Sequence, residues 1–352
     1  MMTELNLPNT ENTNHLGIIG NVYGGGNAAD IYGTTTVNIA TEANKGAYIT
    51  GMVFGGGNNA DVKGNTAVNM AGGYVKDRVY GGGKLGNVGT FTRKTKTNSG
   101  HTHDGDCMGK PDTWTANTGR CVVTVSGGQV GPLGMTMPDD YGYVFGAGRG
   151  ETADPSVDVD VDFKTYVHDT RVIIKNTYAE GHATANDSLS HITKAPLICG
   201  GVYGGSEAGR VGNNTDVRIY GGQIGLGNGK TAAYTEAQWT AAVTAVTSGN
   251  ASSIATAAQA MPECNSWTYD PTSPHNALPY DVHANDASYN AQTMGAASTT
   301  GYDGHTFYGN VFGGGSGYFA YTGENVHGWL RSAGLVEGDT HVTISGGHIL
   351  TS

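Results

Sequence analysis

The sequence predicts an all-β solenoid of three-strand coils, about six turns long, with loop insertions and one small helical insertion. Three observations predict it. A branched residue followed by an aromatic and a run of small residues recurs six times. An alternating phrase, Thr-x-Val-x-Ile, follows each copy, and a third phrase, Gly-Gly-x-Val/Ile, follows most of these. The distances between the phrases are held constant.

The first phrase is Val22-Tyr23-Gly24-Gly25-Gly26, and it returns from Val53, Val79, Val144, Val202 and Val311. The second occurs at Thr35-Val37-Ile39, Thr66-Val68-Met70, Cys121-Val123-Val125, Thr170-Val172-Ile174, Thr215-Val217-Ile219 and Thr340-Val342-Ile344. Strict alternation with β-branched residues is the pattern of a strand with one buried face. The third phrase ends on Val75, Val130, Ile224 and Ile349, and Tyr48-Ile49 takes its place in the first coil.

From the valine of the first phrase to that of the second is 15 residues in three coils. From there to the third phrase is 7, and on to the next first phrase 4. The minimum unit is therefore 26 residues, the separation of Val53 and Val79. That suits one circuit of a triangular solenoid and is too short for a four-stranded propeller blade of about 40 residues. Glycines at fixed offsets from apolar anchors mark sharp corners and close approach of neighbouring coils; a flexible linker would show no such register.

Stacked coils predict ladders about 4.8 Å apart. Val37, Val68, Val123, Val172, Val217 and Val342 are expected in one inward column. Tyr23, Phe54, Tyr80, Phe145, Tyr203 and Phe312 are expected in an aromatic column beside it, and Asn38 with Asn69 in a short amide ladder. Ile18 stands where the third strand of an earlier coil would be, and the last coil stops just before the next valine is due. Both ends therefore read as cut from a longer array, with residues 1–352 forming one solenoid domain.

Through the Val-Tyr/Phe-Gly-Gly-Gly and Thr-x-Val-x-Ile-x-Gly-Gly-x-Ile phrases, the chain resembles the right-handed parallel β-helix proteins. More narrowly, it resembles glycine-rich repeat segments in large, adhesin-like surface proteins of gut bacteria. The resemblance covers the coils, about half of the chain. It implies a parallel β-helix, right-handed as parallel crossovers usually are, and a secreted or cell-surface setting.

Composition agrees with that setting. Charged residues make up 14 % of 352 residues, the net charge is -11, and glycine numbers 58. An acidic, charge-poor chain lacks the basic stripe that nucleic acid requires, and no apolar run is long enough to span a membrane. Residues 1–5 do not read as a signal peptide.

Insertions are expected at 84–120, 149–169 and 225–310. The first holds His101, His103, Asp104, Asp106 and Cys107, which are metal-ligand types in a stretch that also reads as a solvated loop. Cys107 and Cys121 are alternatively a disulfide pair. In the second, alternation puts Asp158, Asp160 and Asp162 on one strand face, where carboxylates either hold Ca²⁺ or face solvent. The third begins with a helical pattern opened by Thr235 and Gln238. It continues with Trp267, Tyr269, Tyr280 and Tyr302, rings that either stack on a glycan or pin the loop.

The outward positions of the second strand bring Arg171, Asp216, Arg218 and His341 forward as a candidate catalytic set. An Arg171–Asp216 surface ion pair is the simpler account. A glycosidase needs two carboxylates, and Asp216 stands alone in these columns. The expected function is a structural or adhesin-like segment whose insertions contact glycans or surface components. The alternative is a carbohydrate-active protein, either a glycan-binding module or a polysaccharide lyase or hydrolase.

Overall fold

The computed structural model describes residues 18–41, 47–93, 111–131, 141–151, 165–182, 192–225, 309–320, 327–329 and 334–349. These residues form an all-β structure with no helix, and its larger sheets are parallel. The expected helix, within 226–308, lies outside them.

Each recurrence of a phrase pairs in parallel with its neighbours. Val22–Tyr23, Val53–Phe54, Arg78–Tyr80, Tyr143–Phe145, Val202–Tyr203 and Val311–Phe312 make a six-stranded sheet, with valine opposite valine throughout. The alternating phrases lie in a nine-stranded sheet, where Val37, Val68, Val123, Val172, Val217 and Val342 stand in one register. In Thr66–Val75, Arg120–Val130, Thr215–Ile224 and Thr340–Ile349, the second and third phrases form one continuous strand. The strand bends at its glycine pair. Gly73, Gly128, Gly222 and Gly347 all have φ between 78° and 83°, where an L side chain is strained.

The first-phrase valines from Val53 to Val202, the second-phrase valines from Val37 to Val217, and Ile49, Val75, Val130, Ile198 and Ile224 share one buried cluster, with Val22 and Val311 partly buried against it. The expected valine column is thus present, except that Val342 at its end is 44 % exposed. The aromatic column is also present. Tyr23, Phe54, Tyr80, Phe145, Tyr203 and Phe312 stack in sequence, with centroids 4.8–5.0 Å apart and planes within 13° of parallel. Each such pair contributes about 0.5–1.5 kcal/mol beyond burial. The amide ladder forms too: Asn69 donates to Asn38 at 3.0 Å.

Two features depart from the three-strand reading. A further parallel pairing runs from Ile31 to Val62 to Val88 and, separately, through Tyr166–Val167, Arg210–Val211 and Leu335–Val336. The Val88 amide, donating to the Tyr166 carbonyl, joins the two runs. Val88, Val167 and Val211 back this pairing with a second small cluster. Residues 165–169, placed in an insertion above, therefore belong to the repeating register. Leu197–Ile198 likewise supplies the third strand between Val130 and Ile224.

What interrupts the register, among the described residues, is a set of antiparallel hairpins: Phe91–Arg93 with Pro111–Trp114, Thr177–Tyr178 with Ile192–Lys194, and Tyr318–Ala320 with His327–Trp329. The first is fastened by its rings. Trp114 packs 4.7 Å from Phe91, 5.1 Å from Tyr166 and 4.7 Å from His168.

Candidate functional site

Alternation along the second strand sends Val172, Ile174, Val217 and Ile219 inward and leaves Arg171, Asp216 and Arg218 outward. Parallel pairing then sets Arg171 beside Asp216 and Asp216 beside His341, with Ile173, Arg218 and Thr343 on the next row. His341 thus reaches the same row as Asp216 although more than a hundred residues separate them in sequence.

Asp216 is the hub. Its Oδ2 accepts the Arg171 Nε–H at 2.7 Å, and both its oxygens accept from Arg218 Nε at 3.0 Å. Arg218 Nη2 lies 2.8 Å from the same Oδ2. Burial alone would raise the Asp216 pKa, but the bonds from Arg218 and Arg171 outweigh it and hold the carboxyl below its ordinary value. The ion pair expected from sequence is present, with a second arginine added.

A second row lies three residues before each valine of the column: Thr34, Asn65, Arg120, Asp169, Asn214 and Asp339. The side chains of Thr34, Asn65, Asp169 and Asn214 each accept a bond from the next repeat's backbone. Asn65 Oδ1 accepts the Arg120 N–H at 2.9 Å, Asp169 Oδ1 accepts that of Asn214 at 3.2 Å, and Asn214 Oδ1 accepts that of Asp339 at 2.8 Å. Asp169 also takes a bond from Asn213 at 2.8 Å and lies 2.7 Å from His168 Nδ1. Burial would raise its pKa, but His168 and the Asn214 backbone hold it lowered.

These rows enclose an open groove of about 540 Å³. Arg171, Asp216, Arg218 and His341 all line it, and Arg120, Asp169 and Asn214 join them. The latter three escaped the sequence reading because they stand just outside the alternating phrase. Their constant offset from the valine column was the signal that could have found them.

The groove does hold two carboxyls, Asp169 and Asp216. Both are shifted toward the ionised form. A hydrolase of the two-carboxylate kind needs one of them held protonated as the acid, the opposite of the direction in which both are shifted.

The other candidates, His101, His103, Asp104 and Asp106, Asp158, Asp160 and Asp162, and Trp267, Tyr269, Tyr280 and Tyr302, lie outside the described residues. Among the described residues, no three His, Cys, Asp or Glu side chains gather as a metal site would require. Cys121 is a free thiol rather than half of a bridge. It is fully buried at the position that threonine holds in the other repeats, and burial pushes its pKa up to about 12. Cys199 is also free and buried, with its pKa raised by the same cause. Neither is a nucleophile at neutral pH.

Comparisons with family models, with curated proteins and with solved structures find no match to this chain.

Proposed function

We propose that this chain is a parallel β-helix segment of a secreted or cell-surface protein. Its role is structural or adhesin-like, with a mechanical basis. Backbone pairing between repeats, inward valines and stacked rings resist bending, while hairpins and outward side chains offer a contact surface. The observation that carries the reading is the unbroken aromatic column. Six rings from six repeats remain in register from Tyr23 to Phe312, across insertions of very different length. Each repeat adds about 4.8 Å, so reach grows with repeat number. The surface partners that suit such an element are glycans or components of neighbouring cells.

The test is antibody labelling of intact cells of the source organism, followed by external protease. Label on unpermeabilised cells that protease removes is the expected result. Label that appears only after permeabilisation would overturn the surface assignment.

A further inference from the structure

The groove beside Asp216 reverses the charge of the molecule around it. The chain as a whole carries -11. Here Arg120, Arg171 and Arg218 face two carboxylates, with His341 alongside. The carboxylates are committed within the protein: Asp169 to His168, Asn213 and Asn214, and Asp216 to the two arginines. We propose that this groove binds an acidic polysaccharide, whose carboxylate or sulfate sits on the guanidinium groups of Arg171 and Arg218.

Three features support that class of ligand. First, Asp216 fixes both guanidiniums before any ligand arrives. It takes the Nε–H of Arg171, which leaves that side chain's terminal amino groups uncommitted to it, and it engages Arg218, a side chain that Tyr220 also meets, through Nε and Nη2. Paired, immobilised guanidiniums are strong receptors for planar or tetrahedral oxyanions, because little side-chain entropy remains to be lost.

Second, every residue that lines the groove is polar, and Asn214 and Thr343 supply neutral hydrogen-bonding groups among the charges. Sugar hydroxyls need such groups. A protein partner would instead need an apolar or aromatic anchor pocket, and this lining has none.

Third, the groove is open and crosses successive repeats. Arg120, Arg171, Asp216 and His341 come from four consecutive repeats, whose strands pair in order. A polymer laid across strands about 4.8 Å apart meets a new charged row at each step. This proposal is independent of surface location, since a structural element that binds nothing would label cells equally well.

The experiment is titration calorimetry of the 352-residue protein with alginate, dextran sulfate, neutral dextran and poly-Glu. Binding of alginate or dextran sulfate is expected, and which of the two binds identifies a uronate or a sulfate ester as the source of the anion. Raising NaCl from about 50 to about 300 mM is expected to weaken it at least fivefold, as screening dictates. The Arg171→Ala/Arg218→Ala variant is expected to lose at least tenfold in affinity with its far-UV spectrum unchanged. Absence of binding to both acidic polysaccharides would overturn the proposal. So would equal binding of dextran or poly-Glu, insensitivity to salt, or full affinity in a folded double variant.

Discussion

The Thr66 hydroxyl donates to the carbonyl of Gly81 at 2.6 Å, joining the alternating phrase of one repeat to the glycine run of the next. The same bond, at the same length, joins Thr35 to Gly55, Thr170 to Gly204 and Thr215 to Gly313. Thr66 is 1 % exposed, so the bond explains why a polar residue heads a strand whose inward face is otherwise apolar. Replacing Thr66 by valine keeps the shape and removes the donor, leaving a buried carbonyl short of a partner. The expected loss is about 1–2 kcal/mol, read as a lower urea midpoint with an unchanged slope.

The first glycine of each run is a steric requirement. A Cβ on Gly55 would lie far inside van der Waals contact with the Gly81 carbonyl oxygen, and a Cβ on Gly81 would meet Gly146 in the same way. Backbone cannot swing aside as a side chain can. Gly55→Ala is therefore expected to cost about 3 kcal/mol or more. Gly33 has open space where its Cβ would point, and Gly33→Ala should fall within about 0.5 kcal/mol of the parent. Thermal melts of the two variants side by side check the contrast.

Much of this architecture is legible in the sequence because its anchors are apolar and evenly spaced. Val37, Val68 and Val217 stand out by their distance from the first phrase, and the rings stand out by type. The pairing through Ile31, Val62, Val88 and Val211 was equally regular, 9 residues after the first-phrase valine in those four repeats. It escaped because a single apolar residue between polar and glycine neighbours carries no periodicity. Ile198 escaped because a hairpin places it 26 residues after Val172, where neighbouring repeats need 7. In the groove, Arg171 and Asp216 were legible as neighbours on adjacent strands. Arg218's share in the same carboxylate depends on side-chain reach along one strand, which spacing does not reveal.

Tyr80 ties the ring column to buried charge. Its ring stacks on Phe54 and Phe145, and its hydroxyl meets Glu207, which Arg78 also approaches at 3.3 Å. Tyr80→Leu removes two stacks and the hydroxyl's bonds to Glu207 and from Arg78 at a fully buried site, with an expected loss of about 3–4 kcal/mol. Tyr80→Phe keeps both stacks and removes only the hydroxyl, so it should lose about 1–2 kcal/mol. Near-UV circular dichroism separates the two, since only the leucine variant interrupts the stacked rings.

Acid should weaken the fold through Asp216 and Asp169. Both carboxyls are held below their ordinary pKa in the folded chain. Below about pH 4, near the unfolded carboxylate value, the unfolded chain takes up protons that the folded chain resists. Stability from these groups is thus complete above that pH and is lost as pH falls through the folded pKa values. Asp216→Asn removes one contributor and leaves Arg171 and Arg218 without their shared anion. At pH 7 the variant should be less stable by up to about 1 kcal/mol, the scale of a partly exposed ion pair. Below about pH 4 that charge-dependent contribution shrinks, so the two urea midpoints should draw together as pH falls. A gap of constant size from pH 7 to pH 2.5 would mean that Asp216 acts through shape or hydrogen bonding alone, and not through its charge.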